Sequence, residues 1–243
     1  MLMKLFHSAL GLAALLLATL LLAGSPVSAQ PNPPRTATPA DFAPEIARFS
    51  EQDAVVMPPA CGFLFVGSSS IRFWRGLGAD MAPYAVINRG FGGARISDVN
   101  FYFDRVVTPY RPRAIFFYAG ENDLWAGAKV QDVVADFQRF IDLKTQVLKD
   151  TPVYFISLKP SKQRLAQFDL QTQVNAQFKA MAKKRSDLIY VDVVPIMRDR
   201  GVPKEIFIGD GLHMTPEGYA LWTKVVRPAV ERNAASKQVC PKP

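Results

Sequence analysis

The chain has 243 residues with a formal charge of +8, two histidines and two cysteines, and 49% of it is apolar. That length and apolar content suit one domain with a sizeable core. Neither a Lys/Arg block interleaved with aromatics nor a Gly-Lys-Ser/Thr sequence occurs, which argues against a nucleic-acid partner and excludes a P-loop. With so few histidines and no clustered cysteines or spaced aspartates, no metal site is expected, and no cofactor.

Met1 to Lys4 form a short basic start, Leu10 to Leu22 are nearly all Leu, Ala, Gly or Thr, and Val27-Ser28-Ala29 supplies a small-residue cleavage pattern. Residues 1–29 therefore read as a signal peptide, the apolar run being too short for a comfortable membrane span. An exported protein, periplasmic or secreted, would start near Gln30 without a stable membrane anchor, and its charge would be +7 because Lys4 is the only charge removed. That surplus reads as a solvated surface property. Residues 30–40 read as a Pro-rich linker and 41–243 as a single domain.

Asp41 is placed to cap a short helix through Phe49. Phe63–Val66 is a continuously apolar run, read as a strand buried on both faces, and it stops at Gly67-Ser68-Ser69-Ser70. Ala85–Asn88 is a second strand, broken by Arg89-Gly90-Phe91-Gly92-Gly93. Ile96 to Val107 has helical spacing and ends before Pro109. Ala114–Ala119 is a third strand and ends at Gly120-Glu121-Asn122-Asp123. Val130–Leu148 is an amphipathic helix, Val153–Leu158 a fourth strand, Leu165–Lys184 a polar helix and Leu188–Val193 a fifth strand. A loop carrying Asp210 and His213 leads to a last helix, opened by Thr215 and Pro216 and ending near Arg232.

Strands alternating with helices predict an α/β fold: a three-layer α/β/α, flavodoxin-like, five-stranded parallel sheet. Right-handed crossovers would put every strand-to-helix loop on one edge, where ligands bind in open sheets. Four polar signals follow strands: Ser68–Ser70, Gly90–Gly93, Glu121–Asp123 and Asp210–His213. They should converge. The same topology brings Cys61, just before the first strand, to the side reached by the end of the last helix, so a Cys61–Cys240 disulfide is expected, two free thiols being the alternative.

His7 lies in the leader, so His213 is the imidazole available to the exported chain. A carboxylate three residues earlier, Asp210, can accept the Nδ1 proton and leave the other nitrogen as a base, and a base facing Ser69 would activate its hydroxyl. Asn122 can donate its side-chain amide to an oxyanion, and Gly93 lets a backbone N–H approach a ligand.

At these residues the sequence resembles the SGNH (GDSL-type) hydrolases, over about Phe63 to Tyr219. Gly67–Ser70, Asn88–Gly93, Gly120–Asp123 and Asp210–His213 resemble that family's blocks. The resemblance implies Ser69 as nucleophile, with Ser68 or Ser70 as alternatives, and His213 as base oriented by Asp210. It also implies an oxyanion hole from the Ser69 and Gly93 amides and the Asn122 side chain. Ser68 stands where the family usually has Asp, and a hydrogen bond donated by Ser68 within the turn is one account of it.

The expected function is an exported serine esterase acting on small acyl esters or acetylated carbohydrate. The alternatives are a lysophospholipase, lipase or thioesterase on longer chains, or a non-catalytic envelope-binding protein. The partner would be a small-molecule or polymer-borne ester. Phe73, Trp74, Phe91 and Trp125 are candidates to line the substrate site. Arg89, Arg95, Lys159 and Lys162 read as solvated loop charges that could also contact an anionic substrate.

Overall fold

In the computed structural model, which describes residues 37–237 and Cys240, the chain opens with helix α1 (Pro39–Val55). The expected signal peptide lies outside the described residues. Helix α1 begins inside the stretch read as linker, because Thr38 is the N-cap and Asp41 completes a capping box from the N3 position rather than capping the helix itself. Its Oδ2 accepts a hydrogen bond from the Thr38 N–H at 2.7 Å. One turn apart, Phe42 and Ile46 bury the helix against the core.

Strand β1 (Phe63–Gly67) is buried along its whole length, as its unbroken apolar run requires. It is followed by the single turn α2 (Ser69–Arg72), the turn α3 (Leu77–Asp80) and strand β2 (Val86–Gly90). The helix expected over Ile96–Val107 is two pieces, α4 (Ile96–Phe101) and α5 (Phe103–Val106). Tyr102 separates them with φ −96° and ψ 14°, and its hydroxyl donates to the Pro39 carbonyl at 2.6 Å.

Strand β3 (Ala114–Tyr118), the short helix α6 (Glu121–Trp125) and the long helix α7 (Val130–Leu148) come next. Strand β4 (Val153–Ile156) stops two residues earlier than expected. The reason lies in helix α8 (Phe168–Ala182): its Asn175 takes the Leu158 N–H at 2.8 Å and donates to the Leu158 carbonyl at 3.0 Å, replacing a strand partner. Strand β5 (Leu188–Val191) likewise ends early, and the Val193 N–H turns to Ser157 Oγ at 2.9 Å. A small hairpin of β6 (Arg198–Asp199) and β7 (Val202–Pro203), which no apolar run announced, precedes the final helix α9 (Pro216–Ala235).

The five long strands form one parallel sheet in the order β2-β1-β3-β4-β5. Strand β1 lies between β2 and β3, and at its carboxyl end Gly67 sits opposite both Gly90 and Tyr118. The chain leaves β1 toward β2 and returns across it to β3, so the strand order reverses beside β1, the position at which open α/β sheets bind ligands. Among the described residues no helix is long and apolar enough to cross a membrane.

Away from that edge, a disulfide joins Cys61 and Cys240, whose Cα atoms are 5.4 Å apart across a separation of 179 residues. Closing so long a loop restricts the unfolded chain. Replacing both cysteines by serine is expected to cost up to about 4–5 kcal/mol in urea unfolding. A loss under about 1 kcal/mol would mean that the bridge does not restrict the unfolded chain as supposed.

Candidate active site

The site begins where β1 stops. Gly67 has φ +137°, and a Cβ there would fall 1.9 Å from the Tyr118 carbonyl oxygen, so only glycine lets the chain turn this close to β3. The next residue is anchored by a 2.8 Å hydrogen bond from the Ser68 N–H to the same carbonyl. Ser68 is the N-cap of α2, yet its hydroxyl makes no capping bond. Ser69 is therefore the first residue of a helical turn, a position whose N–H has no intrahelical acceptor.

The Asp210–His213 loop reaches the same point from the far end of the chain. Ser69 Oγ lies 2.9 Å from His213 Nε2, and His213 Nδ1 lies 2.6 Å from Asp210 Oδ2. The other carboxylate oxygen, Asp210 Oδ1, accepts the Leu212 and His213 amides, each at 2.9 Å. Desolvation by itself would raise the Asp210 carboxyl. The Leu212 amide, the His213 ring and the His213 amide outweigh it and hold the group below its usual range. An ionised Asp210 fixes the proton of His213 on Nδ1 and leaves Nε2 as acceptor for the Ser69 hydroxyl. The Phe73 ring meets the imidazole edge-on at 4.8 Å.

In the loop after β2, Gly93 has φ +79°, with nothing within 4 Å of a Cβ built there. Backbone conformation, not space, is what asks for glycine. The turn around it is pinned: Gly92 donates its N–H to Glu45 Oε2 at 3.2 Å, and the Ala94 N–H bonds the Phe91 carbonyl at 3.4 Å. Asn122, in the first turn of α6, donates its side-chain amide to the Ala94 carbonyl at 3.0 Å. One of its two N–H bonds thus fixes the amide against the Gly93 turn, and the second is left to another acceptor.

Two buried groups stabilise this corner. Asp123, 2% exposed, accepts the Ile96 N–H at 3.1 Å and ties α6 to α4. Burial pushes its carboxyl up to about 7, against the Ile96 hydrogen bond and with help from Asp136 and Asp98. Glu121, beside Asn122, accepts from Lys159 Nζ at 2.8 Å and from the Tyr118 hydroxyl, and Lys159 is wholly buried. Burial, followed by the Glu121 charge, holds the Tyr118 phenol well above its ordinary value.

The raised Asp123 carboxyl makes stability depend on pH in a stated direction. Between the ordinary 3.8 and about 7 the folded state holds a proton that the unfolded chain has released, so stability falls as pH rises through that window. The full effect is about 4 kcal/mol. Asp123→Asn keeps an acceptor for Ile96 and removes the titration. Relative to wild type it should gain stability steadily from pH 4 to pH 7, measured by urea unfolding at each pH. A difference that does not change with pH would show that Asp123 is ionised throughout.

The model of the GDSL-like Lipase/Acylhydrolase family matches residues 62–221, a span that takes in all four of these loops. The chain belongs to this family. No curated protein gives a significant sequence match. Among solved structures this family member resembles a protein from Streptococcus pneumonia with TM-score 0.70 at 17% identity, over 79% of this chain and 93% of that one. A GDSL-like lipase from Bacteroides thetaiotaomicron follows with TM-score 0.66 at 19% identity, over 77% and 97%. An acetylxylan esterase from Geobacillus stearothermophilus gives TM-score 0.57 at 14% identity, over 76% and 99%. At these identities the likenesses show the fold, the three-layer α/β/α arrangement.

Several side chains of the GDSL-like chain lie elsewhere than the sequence suggested. Trp74 is 1% exposed, packed on Tyr219 and Trp222 with its indole N–H on Asp80 at 2.6 Å, and Phe91 is 0% exposed against Phe42 and Tyr102. Both are buried core rings rather than exposed aromatic walls. Trp125 is partly exposed and carries the Arg164 guanidinium 3.9 Å above its ring. Arg89 and Lys159 are not solvated loop charges: Arg89 is buried on Asp53 and Tyr110, and Lys159 on Glu121. Arg95 pairs with Asp98, and Lys162 with Glu205. The Glu121–Lys159 pair went unread because a Lys in a loop between Leu158 and Pro160 carries no local signal of burial.

Proposed function

We propose that this protein is an exported serine esterase that cleaves small acyl esters through an acyl-enzyme on Ser69. The observation that carries the reading is the unbroken chain from Ser69 Oγ through His213 to Asp210 at the carboxyl edge of the sheet. In the reaction Ser69 Oγ attacks the ester carbonyl carbon as His213 Nε2 takes its proton. The Ser69 and Gly93 amides and the Asn122 side chain receive the developing oxyanion. The C–O bond to the alcohol then breaks, the proton on Nε2 passes to the leaving oxygen, and the acyl group stays on Ser69. Water gives a proton to the same nitrogen as it attacks the acyl carbon; the bond to Ser69 Oγ then breaks, that proton returns to Oγ, and the acid is released.

Membership of the acylhydrolase family supports ester chemistry, and the acetylxylan esterase among its structural neighbours supports a small acyl group, acetyl above all. The leader-like residues 1–29 and the disulfide support export to an oxidising compartment. The test is hydrolysis of p-nitrophenyl esters from acetate to long chains, with Ser69→Ala alongside. Turnover greatest on acetate and lost in the variant is the expected result. A peak on long acyl chains would point to a lipase or thioesterase, and no turnover on any ester would refute the esterase reading.

A further inference from the structure

A cavity of about 630 Å³ opens beside His213, within the size range of small-ligand sites. Phe73, Ile208, Met214, Pro216 and Tyr219 form its apolar walls. Its carboxylates have partners already: Asp80 takes the Trp74 indole N–H, and Asp210 is held by His213 and two amides. Ile208, 49% exposed, is a large apolar side chain left in water, and an exposed Arg75 also lines the cavity. The cavity is lined by His213 and Asp210 but not by Ser69, Gly93 or Asn122.

That asymmetry assigns the cavity to one half of an ester. The acyl carbonyl must lie over Ser69 with its oxygen toward Gly93 and Asn122, whereas the alcohol oxygen must lie within proton reach of His213 Nε2. A cavity that contains His213 and excludes the oxyanion donors is on the alcohol side. Apart from the exposed Arg75 guanidinium, its walls offer apolar contact, a poor match to a ring of sugar hydroxyls and a good match to a hydrocarbon. We infer that the Phe73–Ile208–Tyr219 cavity is the leaving-group subsite and that it takes esters of apolar alcohols. This rests on the esterase reading and narrows it. As the ester is cleaved the alcohol leaves through this cavity with the His213 proton, while the acyl group remains on Ser69.

The test holds the acyl group fixed as acetate and varies a primary alcohol of nearly constant acidity: ethyl, butyl and hexyl acetate, with triethylene glycol monoacetate as a polar chain of similar length. A second series fixes ethanol and lengthens the acyl group. The inference expects kcat/KM to rise at least about tenfold from ethyl to hexyl acetate, with the glycol ester near ethyl acetate. Ile208→Ser, at an exposed position and checked for an unchanged melting temperature, should lower the hexyl-to-ethyl ratio about threefold or more. Hydrolysis without dependence on the alcohol, or a ratio unmoved by Ile208→Ser, would overturn the subsite and leave the esterase reading standing. A gain that appears in the acyl series and responds there to Ile208→Ser would reassign the cavity to the acyl group. If no ester in either series exceeds the Ser69→Ala background, both readings fall.

Discussion

Ser69→Ala is expected to lower kcat/KM on the preferred ester by about 10⁴–10⁶-fold, and His213→Ala by a similar factor. The two residues share one hydrogen bond of 2.9 Å, and neither does its part without the other, so the double variant should be no worse than either alone. Asp210→Asn is expected to cost about 10³–10⁴-fold with its fold intact. An asparagine there can present an N–H to Nδ1, which turns the His213 proton to Nε2 and removes the acceptor facing Ser69. What is expected to remain in each variant is the proposed oxyanion site of Gly93 and Asn122, which would still bind a polarised carbonyl. Single-turnover measurements on a p-nitrophenyl ester would separate acylation from deacylation. If Ser69→Ala kept most of its activity while Ser68→Ala or Ser70→Ala lost it, the nucleophile would have to be reassigned.

The second large effect concerns stability. Glu121→Gln leaves the ammonium of Lys159 wholly buried with its carboxylate gone, and breaking a buried pair in this way costs about 3–5 kcal/mol. Replacing both partners, Glu121→Gln with Lys159→Met, removes the stranded charge and should recover a large part of the loss. Urea unfolding of the two single variants and the double one gives the coupling energy directly. Additive losses would mean that the pair is not a unit. Glu121 adjoins Asn122 at the start of α6, so the single variant should also lower kcat in whatever fraction stays folded. The double variant should regain stability before it regains turnover.

Much of this molecule is legible in one dimension. Phe63–Val66, Ala114–Ala119 and Val153–Leu158 read as buried strands because an unbroken apolar run has no face to give to water, and a strand forms in each. Once strands and helices alternate, handed crossovers leave one edge for every loop that follows a strand, and residues 144 positions apart, Ser69 and His213, can be expected to meet. The Cys61–Cys240 bridge follows from the same topology.

What the sequence could not specify was decided by partners distant in the chain. Strand β4 ends at Ile156 because a side chain of α8, Asn175, takes over the backbone of Leu158, and nothing near Leu158 announces it. Trp74 and Phe91, adjacent in sequence to turns at the carboxyl edge of the sheet, became core because neighbouring rings enclose them; proximity along a chain does not say which way a ring turns. Lys159 is buried because Glu121 and Tyr118 await it, a stabilisation that exists only when β3 and β4 lie side by side. The identities of the reacting groups are local properties, set by residue type and spacing. Which surfaces are walls, which charges are interior and where a cavity opens beside His213 depend on packing, which is a property of the whole chain at once.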